Sequence, residues 1–446
     1  MRRDSLSSFI VFVICFSWYA TIARKTGRRV SFLIYVCILT CKQMLNNGQT
    51  RGSALLHILM LLLLNNKIGL VECDKVTAMS ISKHNYPVEE HTVITYDDYI
   101  LTIYRIPSSP NRRHLNRAGA VVFLQHGILS ASDDWIINGP ETSLAYMLAD
   151  AGYDVWLGNA RGNTYSRQHK HIHPDTSEFW RFSWHEIGVY DLAAMLDYAL
   201  AESQSNSLHF VAHSQGTTTF FVLMSSLPLY NEKLRSVHLL APIAYMRYHS
   251  FILSKLGGIF LGSPSFLSWV LGSMELLPIT NLQKLICEHI CARNSMFKFL
   301  CSGLLDFIGG WGTRHLNQTL LPDVCATHPA GASSRQVIHY LQLYRSGDFR
   351  QYDHGRELNE IIYQQPTPPS YKVQYIKSCV DMYYSENDYM SAVGDVKYLA
   401  SLLPCVQLYR IPFVDWNHYD FLWSNNVKEV INNKIIEKML KYDEDV

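Results

Sequence analysis

The sequence predicts an α/β protein with a mostly parallel central sheet and a mainly helical segment inserted late in the chain. Three observations carry that expectation. From Asp74 onward, short β-branched or apolar runs alternate with longer helical patterns and no internal repeat, as a parallel sheet with crossover helices requires. Across 244–371 the pattern changes to apolar stretches broken by Gly and Pro, with few strand signals. The 446 residues are 48% apolar and only 17% charged, a balance that builds a large core and excludes a disordered chain, a coiled coil or a collagen-like fibre. Lys and Arg number 39 against 38 Asp and Glu, so no global basic field exists to collect phosphates, and nucleic acid is not an expected partner.

Residues 1–73 read as a leader. Positions 1–53 hold eight basic residues and one acid, separated by apolar runs at 9–23 and 30–41, and a third run follows at 55–64. None reaches the roughly 20 apolar residues of a comfortable membrane span. The third run resembles a signal-peptide core, with Arg51 upstream and cleavage expected within 69–73. A signal should not begin some fifty residues inside a chain. The first segment is therefore either a membrane anchor or an overextended start, and Met44 is the favoured true start. The implied destination is the secretory pathway, secreted or lysosomal, with anchoring by the N-terminal segment as the alternative. Four cysteines lie in the leader and six beyond it, an even count that suits an oxidising route. Asn317, in Asn317-Gln318-Thr319, is a glycosylation sequon.

Strands are expected at 91–96, 100–105, 120–124, 154–157, 208–211, 237–240, 379–384 and 406–411. Helices are expected at 143–151, 184–200, 217–226, 393–403 and 426–442. The resulting division is a core of 74–243 and 372–446 interrupted by a helical cap at 244–371. Within the cap, 266–277 and 294–308 carry more apolar side chains than one buried stripe needs. Two readings follow, a cap packed on the core or a mobile lid that meets lipid.

The run from Ser207 to Phe221 places Ser214 between a buried strand and an apolar helix, the arrangement of a nucleophile elbow. Strand and helix almost touch at such a turn, so its flanks must be small. Gly216 meets that need, and Ala212 stands where glycine is usual, adding one methyl. An elbow serine needs a histidine to take its proton and an acid to orient that histidine, in the chain order Ser, acid, His. Asp388 follows the strand 379–384, and His418 follows the strand 406–411, both at the edge where Ser214 emerges. Among rivals for the acid, Asp381 falls inside a strand and Asp395 inside a helix, and Asp388 is preferred over them and Glu386. Two backbone N–H groups should hold the oxyanion, those of Gln215 after the nucleophile and Ile128 in the His126-Gly127 turn.

With these residues placed, the chain from about 76 to 441 resembles the acid lipase family of α/β-hydrolases, which includes gastric and lysosomal acid lipases, and insect members in particular. The resemblance rests on Tyr86-Pro-Val-Glu-Glu, Gln125-His-Gly-Ile-Leu, Gly158-Asn-Ala-Arg-Gly-Asn-Thr-Tyr-Ser, Phe179-Trp-Arg-Phe-Ser-Trp-His-Glu, His213-Ser-Gln-Gly-Thr-Thr and Trp416-Asn-His-Tyr-Asp-Phe. It implies Ser214 as nucleophile, Asp388 as acid, His418 as base, the amides of Ile128 and Gln215 as oxyanion donors, neutral-lipid ester substrates, and a lid at the lipid–water interface. The lid cysteines depart from the family: the partner position expected for Cys301 falls near Gly309, and Cys291 is the alternative partner.

Other constellations point elsewhere. His169, His171 and His173 alternate as metal ligands can, but no acid or cysteine accompanies them at ligand spacing, so a surface loop is expected. Asp191 is expected to pair structurally with Arg161. The run 158–162 lacks a dinucleotide-binding register. The expected reaction is ester hydrolysis through an acyl-enzyme, without metal or organic cofactor. A short-chain carboxylesterase and a non-catalytic lipid carrier are the competing readings.

Overall fold

The computed structural model describes residues 76–111, 119–249 and 252–445. The leader, with its apolar runs, cleavage region and four cysteines, lies outside the described residues. Among the described residues, no helix is long and apolar enough to cross a membrane.

The strands are β1 (Glu89–Ile94), β2 (Tyr99–Ile106), β3 (Val121–Gln125), β4 (Asp154–Leu157), β5 (Gln168–His169), β6 (Leu208–His213), β7 (Leu234–Leu240), β8 (Glu275–Leu276), β9 (Ala332–Ser333), β10 (Val380–Tyr384) and β11 (Val406–Arg410). The main sheet runs β1-β2-β4-β3-β6-β7-β10-β11, with β5 beside β2. Its first three neighbours pair antiparallel and all pairs from β4 to β11 are parallel. The chain passes from β3 outward to β4, then back across to β6 on the other flank of β3. That reversal makes the carboxyl ends of β3 and β6 the topological switch point of the sheet, the place where α/β sheets bind ligands.

Successive residues of the central strands enter opposite core layers, so both faces of the sheet are covered. Val121 and Phe123 join Phe210 and Ala212 on one face, while Val122 and Leu124 join Val211 on the other. This is why the central strands read as continuous apolar runs. The helix Gln215–Ser226 covers the first face through Phe220, Phe221 and Val222. The crossover expected over 184–200 contains a π-turn at Ile187–Leu192, where a Cβ on Gly188 would come within 2.7 Å of Val222. The chain ends in the π-turn Lys428–Asn432 and the helix Asn433–Asp445, packed on the second face through Ile431, Ile435 and Met439.

Between β7 and β10 the chain is mostly helical: Ile252–Leu261, Phe266–Leu271, Asn281–His289, Lys298–Gly309, Leu321–Thr327, Ser334–Ser346 and Arg356–Tyr363, with β8 and β9 as a small antiparallel pair. The apolar stretch 266–277 is helical only to Leu271 before β8 begins, and the stretch 294–308 becomes helical at Lys298. Disulfides join Cys287 to Cys325, Cys291 to Cys301, and Cys379 to Cys405. The last staples the starts of β10 and β11, the two strands whose ends carry Asp388 and His418.

Candidate active site

β6 delivers Ser214 into a turn that no ordinary residue favours, with φ 53° and ψ −123°, before the helix Gln215–Ser226 begins. The Ser214 N–H donates to Leu240 O at 3.0 Å, so neighbouring β7 anchors the turn. A Cβ at position 216 would lie 2.6 Å from Gln125 O and 2.8 Å from His126 O, which explains the glycine there. Ala212 is fully buried and its extra methyl fits within the core layer.

The loops after β10 and β11 bring Asp388 and His418 to the same edge. Ser214 Oγ–H donates to His418 Nε2 at 2.7 Å, and His418 Nδ1–H donates to Asp388 at 2.8 Å to Oδ2 and 3.0 Å to Oδ1. Asp388 Oδ1 also accepts from the amides of Met390 and Ser391, each at 2.8 Å. Burial works against ionisation of Asp388, yet His418 and those two amides outweigh it and hold the carboxyl below its usual range. The carboxylate is thus an acceptor only, which fixes the proton on His418 Nδ1 and leaves Nε2 facing the serine. Ser214, His418 and Asp388 are 5%, 4% and 4% exposed, so this conformation closes the site to bulk water.

The other carboxylates are engaged elsewhere. Glu386 pairs with Arg410 at 2.8 Å, and Asp381 with Lys438 at 2.5 Å. Asp395 accepts from the amides of Arg247 and Tyr248.

The loop after β3 lies directly on the nucleophile: a Cβ on Gly127 would sit 3.0 Å from Ser214 Cβ. His126 sets its orientation, a function that sequence reading did not assign. The Ala160 N–H donates to His126 Nε2 at 3.0 Å, so the ring proton is on Nδ1, which donates to Gly127 O at 2.7 Å. Burial lowers the His126 pKa to about 4 and keeps the ring neutral. In a trans peptide the carbonyl and the following N–H point oppositely. With Gly127 O held by His126, the Ile128 N–H points away from that ring. Leu129, at φ 59°, completes the turn, and its carbonyl accepts from Ala330 N at 2.8 Å. Among the described residues no acceptor takes the N–H of Ile128 or of Gln215.

Three further contacts escaped sequence reading. His213 donates from Nε2 to His418 O at 3.0 Å, and burial, then the neighbouring His418, lower its pKa to about 3. Gln215 Nε2 donates to Gln336 Oε1 at 2.5 Å, tying the elbow to the helix Ser334–Ser346. His328, two residues before the Ala330 that binds the Leu129 carbonyl, lies 2.8 Å from Asp134 in a buried ion pair. Burial opposes charge on both, yet their mutual attraction raises the His328 pKa and lowers that of Asp134.

Arg161 places two bonds on Asp97, at 2.5 and 2.7 Å, besides its 2.6 Å contact with Asp191. Asp191 is therefore a structural partner, and Asp97 a second one that its position did not reveal. The three alternating histidines go separate ways: His169 donates to Asp97 O at 3.0 Å, His171 faces Asp98 at 3.7 Å, and His173 faces Asp175 at 3.5 Å. Among the described residues, no group of three or more His, Cys, Asp or Glu is arranged to hold a metal ion. Asn317 is half-buried and accepts from the N–H of exposed Thr319 at 3.1 Å.

A serine elbow beyond the central parallel strand β6, with an acid after β10 and a histidine after β11 at the same sheet edge, defines an α/β hydrolase. The family models agree: residues 77–139 match a partial alpha/beta-hydrolase lipase region and residues 120–424 match the alpha/beta hydrolase fold. Lipase 3 of Drosophila melanogaster is 42% identical over 88% of this chain and 100% of its own length. Gastric triacylglycerol lipase of Bos taurus is 37% identical, and that of Homo sapiens 36%, each over 82% of this chain and 92% of its own length. The chain belongs to the α/β-hydrolase fold family and, within it, to the lipases.

Proposed function

We propose that this carboxylic-ester hydrolase acts on neutral lipid esters, triacylglycerol or steryl ester, through an acyl-enzyme formed on Ser214. One observation carries the reading: the unbroken chain of hydrogen bonds from Ser214 through His418 to Asp388 at the carboxyl edge of the sheet. Ser214 Oγ attacks the ester carbonyl while His418 Nε2 takes its proton. Asp388 stabilises the imidazolium so formed. The N–H groups of Ile128 and Gln215 receive the negative charge on the tetrahedral oxygen. His418 returns the proton to the departing alcohol, and water repeats the cycle on the acyl-enzyme. The chain's own residues supply every proton transfer.

The substrate class is supported by the relatives' names and by the surface of the insertion. Phe266 and Met296 are 81% and 80% exposed, and Trp269, Phe297, Phe299 and Trp311 are at least half exposed or nearly so. Exposed large apolar side chains of this kind suit a lipid–water interface. The segment 244–371 acts as cap and lid, and it must move to admit substrate to a nucleophile that is 5% exposed. The disulfides favour a secretory route, and Asn317 is the proposed glycosylation site. The discriminating experiment compares emulsified long-chain triacylglycerol with a soluble short-chain ester, with Ser214→Ala as control. Turnover of the emulsion is expected, whereas hydrolysis of the soluble ester alone would mark a short-chain carboxylesterase. Hydrolysis of neither would mark a carrier.

A further inference from the structure

The acid and the base sit on separate loops that touch directly, Asn387 Nδ2 donating to Asp415 O at 3.1 Å besides the Asp388–His418 bond, and both loops are also gripped from outside the sheet. The helix Lys298–Gly309 of the insertion ends against both. Gly309 O accepts from Tyr389 N at 3.1 Å, next to Asp388, and from His418 N at 3.2 Å. Gly310 O accepts from Asn417 Nδ2 at 3.2 Å, and Trp311 O from Asn387 Nδ2 at 3.0 Å. The same three residues thus engage the neighbours of the acid and of the base.

Both glycines are required sterically. A Cβ on Gly309 would lie 2.7 Å from the Tyr419 ring and 3.3 Å from His418 Cβ. Gly310 has φ +138°, and a Cβ there would lie 1.8 Å from Asn387 O. Gly309 is the buried end of a helix whose other residues are half-buried or exposed, Cys301 and Leu305 among them packing against the core.

We infer that Gly309 and Gly310 are positioning residues: the insertion holds the Asp388 and His418 loops in register through one bifurcated carbonyl, so that triad geometry depends on where this helix sits. The inference rests on the proposed roles of Ser214, His418 and Asp388. A consequence is that withdrawing the helix removes two hydrogen bonds that no strand replaces.

The test is Gly309→Ala in the full chain, with p-nitrophenyl butyrate as a soluble substrate that needs no lipid surface. Gly310→Ala is the second variant. Gly188→Ala is the control, since its Cβ would meet Val222 at a comparable 2.7 Å inside the core and away from the triad. Displacing the base by a fraction of an ångström should lower kcat about a hundredfold for Gly309→Ala, with KM within about threefold. The pH profile of kcat should shift as the Asp388–His418 contact loosens, and inactivation by diethyl p-nitrophenyl phosphate should slow in parallel. Gly188→Ala should lower the melting temperature while kcat per folded chain and the pH profile stay put. Should Gly309→Ala and Gly310→Ala keep kcat within about threefold, or lose activity only with the folded fraction and with an unshifted pH profile, the inference is overturned. Residual hydrolysis by Ser214→Ala would instead overturn the reading of the site on which it rests.

Discussion

Replacing Asp388 with asparagine separates the proposed orienting role from simple space filling. The side chains are nearly isosteric, and the amide oxygen of the Asp388→Asn variant can still accept from the backbone N–H groups of Met390 and Ser391, which now contact Asp388 Oδ1 at 2.8 Å. The amide nitrogen, however, is a donor facing His418 Nδ1, where Asp388 Oδ2 accepts at 2.8 Å. The ring must then carry its proton on Nε2, pointing at Ser214, and cannot act as base. The imidazolium of the transition state also loses a countercharge about 4 Å away, worth about 4 kcal/mol at an effective dielectric constant of about 20. At about 1.36 kcal/mol per decade that alone is about a thousandfold in kcat, and the wrong tautomer adds to it. The assay is kcat on p-nitrophenyl butyrate, normalised to folded protein by circular dichroism and thermal melting. A folded Asp388→Asn variant that retained more than about a tenth of the parent kcat would refute the reasoning.

Three further outcomes follow from the same geometry. Gly216→Ala should cost about 1–3 kcal/mol of stability by overpacking against Gln125 O and His126 O, and it should lower kcat about a hundredfold by prying the elbow from the oxyanion loop; unchanged turnover in a titration of active sites would contradict this. Asp134→Asn should destabilise the fold by about 3–5 kcal/mol, because it strands His328 in the interior. The His328 pKa is raised and that of Asp134 lowered. The pair's stabilisation is therefore complete between their unfolded values, fades as pH rises through the raised imidazole pKa, and fades again as pH falls through the lowered carboxyl pKa. Chemical denaturation of parent and variant across pH should show the difference largest within that window, and a pH-independent difference would count against the ion pair. Arg161→Lys cannot reproduce the bonds to both Asp97 and Asp191, and a loss of about 3–5 kcal/mol is expected, with a melting temperature equal to the parent's as the contrary result.

Much of this protein is legible in the sequence because its signals are local. A β-branched run followed by a small-residue turn marks a parallel strand and its functional edge without reference to the rest of the chain. That is why the sequence alone assigns Ser214, Asp388 and His418 to strand-end loops. Strand ends shift by a few residues, as at β7, which begins at Leu234 in place of 237, since edges depend on the neighbouring strand. Contacts between distant segments are not legible. The bond from Arg161 to Asp97 spans 64 residues and that from Gln215 to Gln336 spans 121. Nothing near Gly309 announces that its carbonyl will meet the amides of Tyr389 and His418 on two loops far along the chain. The tautomer of His126 depends on the amide of Ala160, which the fold alone delivers.

The most direct measurement is to inactivate the intact protein with diethyl p-nitrophenyl phosphate and locate the adduct by peptide mass spectrometry. One diethylphosphoryl group per chain on Ser214, formed in step with loss of hydrolysis and absent from Ser214→Ala, is the expected result. An adduct on another residue, or full hydrolysis persisting after Ser214 is blocked, would contradict the account.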